Sequence, residues 1–106
     1  EIFDTFEKNL ENISEKVNIN YSKETEIYKA KGCKSCNFTG YSGRLGIFEA
    51  LVIDEELEEL IFSNPSTSEI RKRAIENGMV TLKQDGIIKL LKGETSPNEI
   101  DRVVGL

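Results

Sequence analysis

Histidine is absent from this 106-residue chain, and cysteine occurs only twice. Without histidine the chain can build neither a Ser-His-Asp nor a Cys-His catalytic arrangement, and it lacks the commonest metal ligand. The two cysteines, Cys33 and Cys36, are too few for a disulfide framework. Long apolar runs and a charged-then-apolar leader are also missing, so we expect neither a membrane span nor a secretory signal. The first residue is Glu1 rather than Met, which suggests a piece of a longer protein.

The charge of the chain is acidic, with 14 Lys and Arg against 19 Asp and Glu and a formal net charge of -5. This balance argues against nucleic acid as the main ligand and against adsorption to an anionic lipid surface. Apolar residues make up 38% of the chain, which is enough for one small globular domain but not for a large core.

The first half of the chain changes character twice. Apolar residues three and four positions apart predict an amphipathic helix over residues 2–17. Residues 27–31 are a short strand candidate, and residues 45–53, apolar on both faces, predict a strand buried on both sides. Four of the eight glycines lie at residues 32–46, which indicates a tight irregular loop that leads into the second strand.

After residue 53 the pattern is helical, and each helix has a recognisable start. Asp54, Ser66, Thr81 and Ser96 are predicted N-caps, and Pro97 occupies a first helical position. The predicted helical core comprises Leu57, Ile61, Ile70, Leu82, Leu90 and Ile100. Gly86, inside a helix, indicates either a frayed turn or the close approach of another backbone.

The pair Cys33-x-x-Cys36 is the sharpest chemical signal, because two thiolates at this spacing can bind one tetrahedral ion. A structural zinc site needs four ligands, so we predict half a zinc knuckle, with a leftover pair that has lost its metal as the next interpretation. A thioredoxin-like redox pair is the third, and is disfavoured because that motif opens a helix after a strand. No catalytic residue is predicted.

Three other patterns favour structural roles. Gly40-x-x-Gly43-Arg44 is not a phosphate loop, because that loop ends in Gly-Lys-Ser/Thr and feeds a helix, whereas Arg44 feeds a predicted strand. Arg44 directly precedes that strand and Glu49 is the single charge within it, and both are predicted to hold the strand to neighbouring elements. The basic triplet at residues 71–73 and the acidic run at residues 54–59 are predicted to be solvated helix faces.

Two longer strings carry a family resemblance. Residues 32–49 read Gly-Cys-x-x-Cys-x-x-Thr-Gly-Tyr-x-Gly-Arg-x-Gly-Ile-Phe-Glu, and residues 78–96 read Gly-Met-x-Thr-Leu-x-x-Asp-Gly-x-x-Lys-x-x-x-Gly-x-Thr-Ser. In this order and spacing they resemble the metal-binding loop and last helices of the secretion-superfamily hexameric ATPases, which power type IV pilus assembly and type II secretion. The resemblance covers roughly residues 27–104.

The resemblance implies a C-terminal fragment that follows a RecA-like core. ATP and Mg would belong to that core in the parent protein, so the fragment itself would hold no cofactor and would not be catalytic. Zinc is possible in the parent, where the family has a first CxxC roughly thirty residues earlier. Here Phe3-x-x-Phe6 occupies that neighbourhood, so the first pair lies upstream of Glu1 or has been replaced, and Cys33 and Cys36 form only a half site for metal.

The resemblance also implies partners and a location. The expected partners are the RecA-like core of the same chain, neighbouring subunits of a homohexamer and an inner-membrane platform protein, without nucleic acid. The expected location is cytoplasmic, peripheral at the inner face of the bacterial cell membrane.

These observations predict an α+β chain, mostly helical, with a small strand pair and a Cys/Gly-rich remnant of a metal loop. Its predicted parts are residues 1–26 (helix and linker), 27–53 (strand pair with the CxxC loop) and 54–106 (helical subdomain). Its predicted role is structural and interactive. The alternatives are a free-standing zinc-ribbon-like protein-binding module and a small thiol oxidoreductase.

Overall fold

A computed structural model describes residues 2–14, 17, 19, 21–22 and 24–106 of the chain. Within these residues the chain forms helices joined by irregular segments, with no β-strand. The α-helices are α1 (Ile2–Leu10), α2 (Glu55–Phe62), α3 (Thr67–Glu76), α4 (Leu82–Leu91) and α5 (Pro97–Val104), and one 3-10 turn spans Lys34–Cys36.

The four later helices begin where the sequence predicts. The side chains of Asp54, Ser66, Thr81 and Ser96 each accept a hydrogen bond from a backbone amide in the first turn of the helix that follows. These bonds satisfy amides that have no partner inside the helix. Pro97 occupies the first turn of α5, where a missing N–H is harmless. The N-cap predictions are therefore confirmed.

The main core forms where α1 and α5 pack on α4. It consists of the buried side chains Phe6, Leu10, Ile87, Leu90 and Ile100. A second contact joins α2 to α3, and Leu57 and Ala74 are buried in those two helices.

The predicted core list is only partly right. Leu57, Leu90 and Ile100 are buried, and Ile70 is half-buried. Ile61 and Leu82, however, are 41% and 42% exposed. Helical periodicity shows which residues share a face, but burial also needs a neighbouring element, and the described residues place none over these two side chains.

Helix α1 is shorter than predicted. It ends at Leu10 rather than at residue 17, and Ile13 packs on the core from the irregular segment that follows. The part of the predicted helix at Glu15 and Lys16 lies outside the described residues.

The predicted strand pair is wrong for this structure. Residues 27–31 and 45–53 are irregular, and the second segment is largely exposed, with Phe48 at 70% and Val52 at 79%. A strand buried on both faces needs neighbouring strands and a layer on each side. The described residues provide neither, so an apolar run with strand-like composition stays on the surface.

The overall shape is elongated, with extents of 56 × 28 × 20 Å and a radius of gyration of 16.6 Å. A compact domain of this length would have a radius of about 13 Å. None of the described helices combines the length and apolarity that a bilayer crossing requires.

Candidate functional site

The two cysteines lie at the two ends of one tight turn. Cys33 precedes the 3-10 turn in an extended conformation, and Cys36 closes it. The amide of Phe38 donates to the carbonyl oxygen of Cys33 at 2.7 Å, which folds the chain back after the turn. The Sγ atoms of Cys33 and Cys36 are consequently 3.4 Å apart, on an exposed part of the molecule.

The backbone around this turn is crowded and partly left-handed. Asn37 and Phe38 have φ values of 57° and 62°, an uncommon conformation for residues other than glycine. Gly40 has a φ of 85°, and a Cβ there would lie 2.6 Å from the Cβ of Ala30. Glycine at this position is therefore required both by the conformation and by the close approach of the preceding segment.

Two backbone amides donate hydrogen bonds to the sulfur of Cys36. It accepts hydrogen bonds from the amides of Cys33 at 3.2 Å and Gly40 at 3.1 Å. These contacts lower the pKa of the Cys36 thiol to about 7, chiefly through the Cys33 amide, while desolvation acts in the opposite direction. Hydrogen bonds to the charged form favour that form, so a substantial fraction of Cys36 is thiolate near neutral pH.

Within the described residues, Cys33 and Cys36 do not by themselves complete the ligand shell of a structural zinc ion. A closed zinc site takes four ligands, usually from cysteine and histidine. The described residues contain no group of three or more His, Cys, Asp or Glu side chains close enough to hold an ion. Cys33 and Cys36 are brought together as the sequence predicts, but they offer half of a shell.

The loop that follows the cysteines is fastened to α5. The hydroxyl groups of Tyr41 and Ser96 are hydrogen-bonded, and Ser96 is buried while it also caps α5. A groove of about 560 Å³ lies between this loop and α5, with Arg44 and Leu45 on one side and Glu99 on the other. The sequence pattern does not reveal the Tyr41 contact, because 55 residues separate the two partners.

The exposed apolar segment, residues 45–53, is fastened to α4 by two hydrogen bonds. The amide of Phe48 donates to Oδ2 of Asp85 at 2.9 Å, and the amide of Leu82 donates to Oε2 of Glu49 at 2.9 Å. Lys89 also binds Asp85 Oδ2 at 2.7 Å and lies 5.8 Å from the ring centre of Phe48. Each side therefore supplies one backbone donor and one carboxylate.

Glu49 reaches a second helix as well. Its Oε1 lies 3.6 Å from Nη2 of Arg71 on α3, with both side chains partly exposed. The prediction that Glu49 holds its segment to neighbouring elements is confirmed. Arg44 is different: it is exposed beside the groove, and no hydrogen bond or ion pair joins its side chain to another described residue.

Large apolar side chains are exposed in two parts of the chain. The large apolar residues that are exposed to solvent within residues 45–53 and at the end of α2 are Leu45, Phe48, Leu51, Val52, Ile53, Ile61 and Phe62. Single exposed apolar residues are ordinary, whereas large contiguous apolar patches are typical of interaction sites. The predicted basic and acidic helix faces at residues 71–73 and 54–59 are exposed except for the buried Leu57, apart from pairs such as Arg73 with Glu56.

The described residues thus combine a short helical array, a Cys/Gly loop and an apolar segment held to one helix. The model of the family described as "Type II/IV secretion system protein" matches residues 6–102. The chain belongs to this family.

Individual relatives agree with the family match. The chain is 43% identical over 74 residues to the type IV pilus assembly ATPase PilB of Thermus thermophilus, an alignment that covers 70% of the chain and 8% of the relative. It is 42% identical over 80 residues to the type II secretion system protein E of Aeromonas hydrophila, covering 76% of the chain and 16% of the relative. The type II secretion system ATPase E of Vibrio cholerae is 40% identical over 77 residues, covering 73% and 15%.

The chain thus spans less than a fifth of the length of these relatives. No solved structure matches the chain.

Proposed function

We propose that this chain is the C-terminal subdomain of a hexameric traffic ATPase that powers type IV pilus assembly or type II secretion. Its own role is structural and interactive, and it has no ATP site. The relatives are named as assembly or secretion ATPases, and the chain corresponds to a small fraction of each.

The observation that carries the proposal is the exposed apolar segment at residues 45–53. Its composition suits a strand buried on both faces, yet Phe48 and Val52 are more than two-thirds exposed. Glu49 and Asp85 hold the segment in place against α4. A fixed apolar edge is suited to bind the RecA-like core of the parent chain, because covering it removes apolar area from water.

The other expected partners follow from the same assignment. Neighbouring subunits of the hexamer and an inner-membrane platform protein would contact the assembled ring, which would lie in the cytoplasm at the inner face of the membrane. ATP and Mg would bind the core, and the sequence of this chain contains no Gly-rich loop ending in Gly-Lys-Ser/Thr that could bind them.

A binding experiment tests the docking role. The core of the Aeromonas hydrophila relative, expressed without the stretch of 80 residues that matches this chain, is mixed with the chain and the dissociation constant is measured. Val52→Asp should weaken binding by at least about tenfold, because docking would bury an unpaired carboxylate. Binding that Val52→Asp leaves unchanged, or no binding by the unchanged chain, would contradict the docking role.

Lys72→Gln is the matched control. It changes the net charge by the same amount as Val52→Asp, at an exposed position on α3 that is not part of the apolar segment. Its binding should equal that of the unchanged chain. A similar loss in both variants would assign the effect to overall charge rather than to the apolar surface.

A nucleotide titration tests the absence of an ATP site. Calorimetry of the chain alone with ATP and Mg should show no saturable heat. Saturable binding in the micromolar range would contradict the assignment of nucleotide binding to the core.

The zinc-ribbon-like module is the second candidate, and it rests on the juxtaposed sulfurs of Cys33 and Cys36. Metal analysis separates the two candidates. A zinc-ribbon module would contain one tightly held zinc per chain and lose its fold with a chelator. An accessory subdomain would carry little zinc and keep its helices, since α1, α4 and α5 share an apolar core.

A further inference from the structure

The groove between residues 41–47 and α5 combines apolar surface with a cation that has no partner. Leu45 on the loop side and Val103 on α5 are 50% and 53% exposed where they line it. Arg44 lies beside Leu45, and no described residue forms an ion pair with its guanidinium. A segment that placed an apolar side chain in the groove and a carboxylate at Arg44 would cover the apolar area and pair the charge.

The two walls of the groove differ in charge. On the α5 wall the carboxylate of Glu99 is already bound by Arg102, and Glu94 is the other acid that lines the groove. The loop wall contains Arg44 and no acid. An occupant that fits both walls therefore directs its carboxylates toward the loop and its apolar residues toward α5.

The distribution of charge along the chain indicates where such an occupant is found. Residues 27–48 contain four cations and no Asp or Glu, whereas residues 54–59 contain five acids and no cation. Among the described helices α2 contacts only α3, so its acidic face does not cover the groove of its own chain.

The outward face of α2 has the composition that the groove requires. At 3.6 residues per turn, Glu55, Glu58, Glu59 and Phe62 lie on the side of the helix opposite the buried Leu57. The three carboxylates are exposed and form no ion pair with a described residue, and Phe62 is 81% exposed. This face therefore offers unpaired acids next to one large apolar side chain.

We propose that the groove between residues 41–47 and α5 binds the outward face of α2 from a second copy of this chain. In this contact the carboxylates at Glu58 and Glu59 pair with Arg44, and Phe62 packs against Leu45 and Val103. Complementary charge sets the orientation, and the apolar contact supplies the area removed from water.

The contact is head-to-tail, because each copy uses its groove toward one neighbour and its α2 toward another. Such a contact repeats until it closes a ring or grows as a filament. The inference rests on the proposed function only in placing this contact between neighbouring subunits of the ATPase. In an assembled ring several weak contacts reinforce one another, so the contact between two isolated chains needs only modest affinity.

Sedimentation velocity of the full chain tests the contact, at protein concentrations from about 10 µM to about 1 mM. The mass should increase with concentration beyond that of a dimer. It should decrease when salt is raised from about 50 mM to about 500 mM, because the charges are exposed. A chain that stays monomeric at low salt, or an assembly that stops at a dimer, would overturn the proposal.

Two variants each remove one side of the contact. Arg44→Glu in the groove and Phe62→Asp on α2 should each weaken self-association by at least about tenfold, because like charges or a buried carboxylate would then oppose docking. An equimolar mixture of the two should form a 1:1 complex and nothing larger, since one intact groove meets one intact α2. A mixture that remains monomeric would contradict the pairing of these two surfaces.

Lys72→Glu is the matched control, because it changes the net charge as Arg44→Glu does, at an exposed position on α3. It should associate as the unchanged chain does, and circular dichroism checks that all the variants keep their helices. An equal loss in Lys72→Glu would assign the effect to net charge and overturn the proposal.

The same variants separate this contact from the docking of residues 45–53 on the core. Val52→Asp should lose core binding and keep self-association, whereas Arg44→Glu should lose self-association and keep core binding. Core binding without self-association would overturn this inference alone. Loss of both kinds of binding in both variants would show a single shared surface and would also overturn it.

Discussion

Glu49 accepts a hydrogen bond of 2.9 Å from the backbone amide of Leu82, the first residue of α4. Thr81, the N-cap of the same helix, accepts a hydrogen bond from the amide of Gln84. The Glu49 carboxylate and the Thr81 hydroxyl therefore each bind one of the backbone amides that have no partner within the helix. A negative charge at this end also interacts favourably with the helix dipole. Glu49 therefore joins the apolar segment to α4, and replacing its carboxylate with a neutral side chain should weaken this contact.

The first prediction concerns this contact. Glu49→Ala should reduce the free energy of unfolding by about 1–2 kcal/mol, since it removes an acceptor at a helix N-terminus. Arg71→Ala should reduce it by less than about 1 kcal/mol, because the pair is 3.6 Å apart and partly exposed. Urea unfolding at neutral pH measures both.

Glu58→Ala, an exposed acidic position on α2, is the control and should change the stability by less than about 0.5 kcal/mol. An Arg71→Ala effect as large as that of Glu49→Ala would mean that the ion pair, rather than the bond to α4, holds the segment.

The helix starts could be predicted from the sequence because capping is local. The predictions at Thr81 and Ser96 needed only the residues within the next turn, and both are confirmed. The strand at residues 45–53 could not be judged in that way. Its composition reports how apolar the segment is, whereas pairing and burial depend on elements that the described residues do not supply.

In the candidate site, too, local contacts could be predicted from the sequence and long-range contacts could not. The closeness of Cys33 and Cys36 follows from their spacing, and the structure places their sulfurs 3.4 Å apart. The bonds of Glu49 to Leu82 and of Asp85 to Phe48 join residues 33 and 37 positions apart, and nothing local indicates them. The sequence marked Glu49 as the single charge in an apolar run, which was a usable signal, but it did not identify the partner.

The second prediction concerns Gly86, which is buried inside α4 rather than in a frayed turn. A Cβ at this position would lie 3.1 and 3.2 Å from two carbons of Ile100. Alanine favours the helix by about 1 kcal/mol, but overpacking a filled core costs about 1–3 kcal/mol. Because Ile100 is buried, we expect Gly86→Ala to destabilise the chain by about 1 kcal/mol in thermal or urea unfolding.

Ile100→Val removes one of the two crowding carbons and supplies the partner for a double-mutant cycle. Alone it should cost about 1 kcal/mol, and in the Gly86→Ala background it should cost less. Additive effects would show that the two residues do not compete for the same space.

The third prediction concerns Gln84, a buried polar residue that joins α4 to the end of α1 and to the turn that follows it. Its Nε2 donates to the carbonyl oxygen of Asn9 at 2.9 Å and to Oδ1 of Asn12 at 2.7 Å, and its Oε1 accepts from the amide of Thr81. Gln84→Ala should destabilise the chain by about 2 kcal/mol, since it leaves half-buried backbone groups of Asn9 and Thr81 without this partner.

Asn12→Ala is the comparison for Gln84→Ala in urea unfolding. Asn12 is exposed, so water can replace the lost contact and the expected effect is below about 1 kcal/mol. Equal losses of stability in the two variants would contradict the conclusion that the buried side-chain amide of Gln84 is the main link between α4 and α1.

The fourth prediction concerns the ionisation of Cys36. Its pKa in the folded chain is lowered to about 7, first by the Cys33 amide, from an ordinary value of 9.0. Alkylation of Cys36 by iodoacetamide, followed at the peptide level, should therefore fall as the pH drops through about 7. In urea, where the amides no longer donate to the sulfur, the midpoint should rise toward the ordinary value of a free thiol. The same midpoint in the folded and unfolded chain would contradict the role of these donors.

The lowered pKa of Cys36 also makes the free energy of unfolding depend on pH. The folded chain releases the Cys36 proton more readily than the unfolded chain, so the folded state gains stability as the pH rises from about 7 toward 9, and the gain is absent at pH values below 7. The stability difference between the unchanged chain and Cys36→Ser should accordingly widen in favour of the unchanged chain between pH 6 and pH 9. The measurement needs reducing buffer, because an internal disulfide would remove the titrating group. A difference that stays constant across this range would mean that the thiolate receives no net stabilisation from the turn.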